Sequence, residues 1–168
     1  TSLKIAKKYL GDENSIVLCV VPATTTRLTS CQSIALITEM GMEDNTILAL
    51  TMSDRLQSVN IEELLIKRLI GTSDELNKLN FAGCVAVVNR LHTNVFNLFE
   101  NDLTESTWFD DNIIKCMPST YLHYKEKIES NVTITKMIYQ INKLYNKFVN
   151  NNWKPSILKK INRSVMML

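Results

Sequence analysis

Along the first ninety residues, unbroken apolar runs alternate with stretches in which apolar residues recur every three or four positions. Leu3, Ile5, Ala6 and Leu10 share one helical face, Lys4, Lys7 and Lys8 fall largely outside it, and Gly11 marks a stop. Ser15 to Val21 reads Ser-Ile-Val-Leu-Cys-Val-Val, without alternation. A short run of that kind is expected as a strand buried on both faces, and Pro22 ends it. A helix is expected from about Ser30 to Met40, with Gly41 at its C-terminal cap. Thr46 to Thr51 is a second buried strand. The next helix, Ile61 to Leu69, is expected to be capped by Asn60, with Glu63 three residues on in a capping-box arrangement, and to end near Gly71. A polar loop, Thr72 to Asn80, then leads to a third strand, Gly83 to Val88.

Apolar strands alternating with amphipathic helices imply an α/β fold built on a parallel sheet, here a partial one of three core strands. Ligands of such sheets sit at the carboxyl ends of the strands. The positions to inspect are therefore Pro22 to Thr26, Thr51 to Asp54 and Asn89 to His92. Beyond residue 92 the chain turns to helical spacing, rich in Asn, Lys and aromatics. Between Thr133 and Asn150, the residues Ile134, Met137, Ile138, Ile141, Leu144, Tyr145 and Phe148 form a long apolar stripe. The run Asn150-Asn151-Asn152 is expected to end that helix, and Pro155 to open a new one over Ser156 to Leu168. Residues 1–150 thus read as one α/β unit followed by a C-terminal helical segment, 151–168.

Composition narrows the classes. An apolar content of 45% supports a packed core. A net charge of +2 over 168 residues does not provide nucleic-acid binding by bulk electrostatics. The four cysteines, Cys19, Cys31, Cys84 and Cys116, have no Cys-x-x-Cys spacing and read as reduced thiols of a cytoplasmic protein. No apolar run approaches the ~20 residues that span a bilayer. The chain starts without Met in what reads as mid-helix, so a piece of a longer protein is expected.

The chemistry concentrates in Leu48-Ala49-Leu50-Thr51-Met52-Ser53-Asp54, where a buried strand delivers a Thr and then an Asp. The same spacing also describes a strand end followed by an Asp that caps a turn. It resembles the guanine-reading Thr-Lys-x-Asp motif of GTPases. Guanine presents two adjacent donors, the ring N1–H and the exocyclic amine, and one carboxylate can accept both; adenine lacks that pair. Met52 stands where the motif has Lys, so an apolar thioether replaces a charged stem over the base.

Four further stretches extend the resemblance in register. Ile16 to Ala23, Ile-Val-Leu-Cys-Val-Val-Pro-Ala, resembles the dynamin-family strand that ends in a Pro-Ala or Ser-Ala pair. Val87-Val88-Asn89-Arg90 resembles the last base-contacting loop of dynamins and Mx proteins, which continues with a polar pair where this chain has Leu91-His92. Val132 to Asn150 resembles the family's terminal GTPase helix, and Trp153 to Ile161 its proline-marked hinge. The resemblance, to the C-terminal half of a dynamin-like GTPase domain, runs from about Ile5 to Ile161. It implies a guanine-nucleotide site made of Thr51, Met52, Ser53, Asp54, Asn89, Arg90, Leu91 and His92, with GTP as the ligand. It also implies hydrolysis, self-association and membrane remodelling in the whole protein, with membrane lipids or cytoskeleton as partners, no nucleic acid, and a cytoplasmic or peripheral-membrane location.

A phosphate-binding loop needs clustered glycines and Gly-Lys-Ser/Thr. The four glycines, Gly11, Gly41, Gly71 and Gly83, are dispersed and none precedes Lys; Asp-x-x-Gly is absent too. Mg²⁺ and the transferred phosphoryl therefore belong to the amino-terminal half of such a domain, and this chain alone is expected to be inactive. Neither His92 nor His123 sits in a compact ligand cluster, so no metal site is expected. Two other readings stand beside this one. A pseudo-GTPase could serve as a non-catalytic interaction module, which Met52 and Leu91-His92 favour; an unrelated α/β scaffold would lack convergence of Asp54 and Asn89.

Overall fold

The computed structural model describes residues 2–12, 15–88 and 98–165. It is an α/β fold around a three-stranded parallel sheet in the order β1-β2-β3. β1 is Val17–Pro22, β2 is Thr46–Thr51 and β3 is Gly83–Ala86. In register, Cys19 lies opposite Leu48, and Leu48 opposite Cys84. All six residues of β2 are buried, as its continuous apolar run predicts.

One face of the sheet carries Cys19, Val21, Leu48, Leu50, Cys84 and Ala86 into the main core. Two helices close over it: α1 (Ser2–Leu10) lies at its margin, and α2 (Gln32–Glu39) contributes Ile34 and Ile37. The helical run α3 (58–70) adds Leu65, Ile66, Leu69 and Ile70. Three shorter or later helices follow: α4 (Asp74–Leu79), α5 (Leu98–Phe109) and α6 (Lys125–Glu129). The second face is covered by α7 (Ile134–Phe148), whose Leu144 packs on Ile47, Val85 and Val87 with Ile134, Met137 and Ile141 beside it.

β1 departs from its expectation. Cys19 and Val21 are buried, but Leu18 and Val20 are 40% and 56% exposed. The reason is placement: α7 lies over β2 and β3, so the second face of β1 has no helix on it among the described residues.

Three local expectations are also corrected. The third helix begins at Ser58 after Gln57, not after Asn60. The Asn60 N–H already donates to the Gln57 carbonyl at 2.8 Å, so Asn60 sits inside the first turn, whereas a cap needs extended backbone. Glu63 pairs with Lys67 instead of reaching back. The polar stretch 72–80 contains α4, whose Leu76 and Leu79 are buried; one turn and a half is too short for apolar periodicity to register. Finally, Asn150 to Asn152 do not end the helix. A π turn, Val149–Trp153, carries α7 into α8 (Lys154–Val165), with the Lys154 N–H bonded to the Val149 carbonyl five residues back.

The glycine stops are met. Gly71 closes α3 at φ 76°, ψ 29°, a left-handed conformation that a side chain resists, and Gly41 follows α2 at φ 65°.

Cys19 and Cys84 lie in the sheet, and burial pushes their thiols up to about 11 and about 12. Cys116 is exposed. At pH 8 the Cys19 thiolate is then on the order of one molecule in a thousand. A thiol reagent followed by mass spectrometry is expected to modify Cys116 in the native protein, and Cys19 and Cys84 only after denaturant is added.

Candidate functional site

The carboxyl end of β2 is held from both sides. The Ala23 N–H, just past β1, donates to the Thr51 carbonyl at 2.7 Å, and the Ser53 N–H donates to the Val87 carbonyl at 3.4 Å. The Val87 N–H in turn donates to the Leu50 carbonyl at 2.9 Å. The chain leaving the central strand is thereby fixed to the ends of both neighbours before it reaches solvent.

Between those anchors Met52 takes a left-handed conformation, φ 55° and ψ 38°. A residue with a side chain adopts it at a cost of about 1 kcal/mol, and such costs concentrate at sites that need a particular backbone path. Here the turn reverses the chain into a short 3₁₀ turn, Ser53–Arg55, with the Arg55 N–H bonded to the Met52 carbonyl at 3.0 Å.

The four residues from this turn divide by direction. Thr51 and Ser53 are buried; the Thr51 hydroxyl donates to the Val21 carbonyl at 3.4 Å and the Ser53 hydroxyl to the Leu50 carbonyl at 3.2 Å. The first ties β2 to β1 and the second closes the turn. Met52 is half-buried and Asp54 is exposed. Asp54 makes no hydrogen bond or ion pair among the described residues, so its carboxylate keeps full acceptor capacity at the strand end. Asn89, Arg90, Leu91 and His92 lie outside the described residues.

Sequence patterning missed the residue that holds the end of β3. Glu105, on α5, is 1% exposed. Its Oε1 accepts the Val88 N–H at 2.6 Å, and its Oε2 accepts the Ile134 N–H at 2.9 Å. One carboxylate thus joins the strand end that precedes residues 89–97 to the first turn of α7. The second bond places negative charge where the helix dipole favours it. The same corner is tied by the Thr133 N–H to the Ala86 carbonyl at 3.0 Å, and by the Ala86 N–H to the Asn131 carbonyl at 2.9 Å. Thr133 caps α7 with its hydroxyl accepting from the Lys136 N–H at 3.5 Å. Nothing in the surrounding Leu-Thr-Glu-Ser-Thr distinguishes Glu105 from a surface glutamate.

Among the described residues, no group of three or more His, Cys, Asp or Glu could hold a metal ion. In comparisons with known proteins, no protein-family model matches the chain and no curated protein matches it.

Replacing Glu105 with Ala would leave a buried N–H, that of Val88, and a half-buried one, that of Ile134, without their acceptor. A loss of about 3 kcal/mol is expected in urea denaturation, with Glu105→Gln losing less because one amide oxygen remains to accept. Faster amide exchange at Val88 and Ile134 in both variants is the local readout.

Proposed function

We propose that the turn after β2 reads the guanine base of GTP, within a dynamin-like GTPase whose other parts bind the phosphates. The single observation that carries the reading is Asp54: an uncommitted carboxylate held just past the carboxyl end of the central parallel strand. That is the edge of an open α/β sheet where ligands bind. A carboxylate there can accept the paired N1–H and amine donors of guanine, and adenine offers no such pair. Met52, half-buried on the strained turn, would lay its thioether against the base. Thr51 and Ser53 would shape the pocket through backbone and packing, since their hydroxyls are already engaged, with the Val21 carbonyl of β1 and the Leu50 carbonyl of β2. Asn89 to His92, continuing from the end of β3, would supply the rest of the base and ribose contacts by resemblance.

Hydrolysis, self-assembly and membrane remodelling belong in this reading to the whole protein. They require a phosphate-binding loop and Mg²⁺, for which this chain has no motif. One observation favours the second reading, a pseudo-GTPase acting as an interaction module: Met52 brings no charge to the base, unlike the Lys of the guanine-reading motif.

Titration of fluorescent GTP and ATP analogues, with the native upstream sequence present, separates the two. The base-reading role predicts GTP-selective binding that Asp54→Ala weakens by about 2–4 kcal/mol, on the order of 30- to 1000-fold in Kd. Absence of nucleotide binding by the folded protein would leave the interaction module. If GTP does bind, Met52→Lys should tighten it without changing its preference over ATP, because the added cation covers the base while Asp54 selects it.

A further inference from the structure

At the opposite end of the sheet, a cavity of about 940 Å³ opens at the amino ends of β2 and β3. Its wall includes Ile47, Gly83 and Cys84 from the strands, and reaches α7 at Lys143 and Lys147. The volume lies in the range of small-molecule sites. Its electrostatics are one-sided. Arg68, Lys127, Lys143 and Lys147 line it, against Asp44 as the one carboxylate among its described lining residues. Asp44 already accepts a hydrogen bond from the Asn80 side-chain amide at 3.2 Å.

Arg68 is the unusual member. It is 2% exposed, with burial working against its charge and Glu75 supporting it. Its Nη2 donates to the Thr25 carbonyl at 2.9 Å and to the Thr26 carbonyl at 3.3 Å, and lies 3.7 Å from Glu75 Oε2. Glu75 gives Arg68 only part of its charge, because its Oε1 accepts from the Thr29 N–H at 2.9 Å and the Thr29 hydroxyl at 3.1 Å. Nη1 has no hydrogen-bond partner. Nη1 is itself buried, so Arg68 gives the cavity positive charge from within its wall and not an open donor. The three lysines differ in commitment: Lys127 donates to the Ile70 carbonyl at the cavity wall, while Lys143 and Lys147 stand one turn apart on the exposed side of α7.

We propose that this cavity binds a phosphate-bearing anion, with Arg68 at its floor and Lys143 and Lys147 at its mouth. The lysine ammoniums can meet phosphate oxygens directly as point charges, and the buried guanidinium in the wall adds to the positive potential around them. The same chemistry is offered by a free diphosphate and by a phosphorylated lipid headgroup. The site is on the far side of the sheet from Asp54 and stands independently of base reading.

The test is isothermal titration of the full chain with inorganic pyrophosphate at about 50 mM salt, beside a Lys143→Gln/Lys147→Gln variant and a Lys159→Gln/Lys160→Gln control on α8. The expected result is saturable binding that weakens at least about tenfold in the first variant and is unchanged in the control. Because all four lysines are exposed, both variants should fold as the native protein does, which circular dichroism checks. Vesicles of phosphatidylcholine with and without phosphatidylinositol bisphosphate distinguish the sources. Co-sedimentation that the Lys143/Lys147 variant loses assigns the phosphate to a lipid; pyrophosphate binding without co-sedimentation assigns it to a soluble ligand. No pyrophosphate binding, or equal weakening in the control, overturns the proposal, as does vesicle binding without pyrophosphate binding.

Discussion

The pairing of β2 on both of its edges is the constraint on which the rest of the molecule depends. Its neighbours β1 and β3 meet the sheet only through it, and each face of β2 feeds a separate apolar cluster. Every backbone polar group of a doubly covered strand must find its partner within the sheet, because water cannot reach it. This is why the chain leaves β2 in a fixed direction: Ala23 and Val87 clamp the last residues, and the reversal at Met52 happens at one position and not over a wandering loop.

The two ends of the sheet then acquire opposite characters. At the carboxyl end of β2, the Thr51 and Ser53 hydroxyls turn inward and the Asp54 carboxylate is exposed. At the amino end, the described residues lining the cavity include four cations and one carboxylate. Arg68 belongs to the architecture as well as to the cavity, since it bonds the carbonyls of Thr25 and Thr26 and so holds the segment that follows β1. Glu105 does the equivalent work for the segment after β3. Buried charges of this kind are costly to leave without partners, and both are spent on fixing irregular backbone near strand ends.

Much of the α/β plan was legible along the chain. Thr46 to Thr51 forms a strand over those same residues because an apolar run without alternation has only one comfortable setting, a strand covered on both faces. Gly41 and Gly71 sit after their helices because a left-handed residue is needed there. Asp54 could be placed at a strand end from its distance to Leu50 alone. The helix at 74–79 was not legible, since six residues hold too few apolar positions to show a period. The run through Asn150 to Asn152 was misleading, because asparagine disfavours a helix only weakly and the ladder widened to a π turn instead of breaking.

Local pattern along the chain was enough to place the three strands in order, the helices that alternate with β1 and β2, and Thr51 to Asp54 just after a buried strand. Those properties depend on a residue and its near neighbours, so a local pattern can carry them. Tertiary structure decided that α7 covers β2 and β3 and leaves Leu18 and Val20 of β1 open. It also decided that Glu105 meets partners 17 and 29 residues away, and that Arg68 is buried with one nitrogen unmet. A buried charge and a solvated one are the same residue in the sequence; only the path of the chain around them sets the difference in solvation.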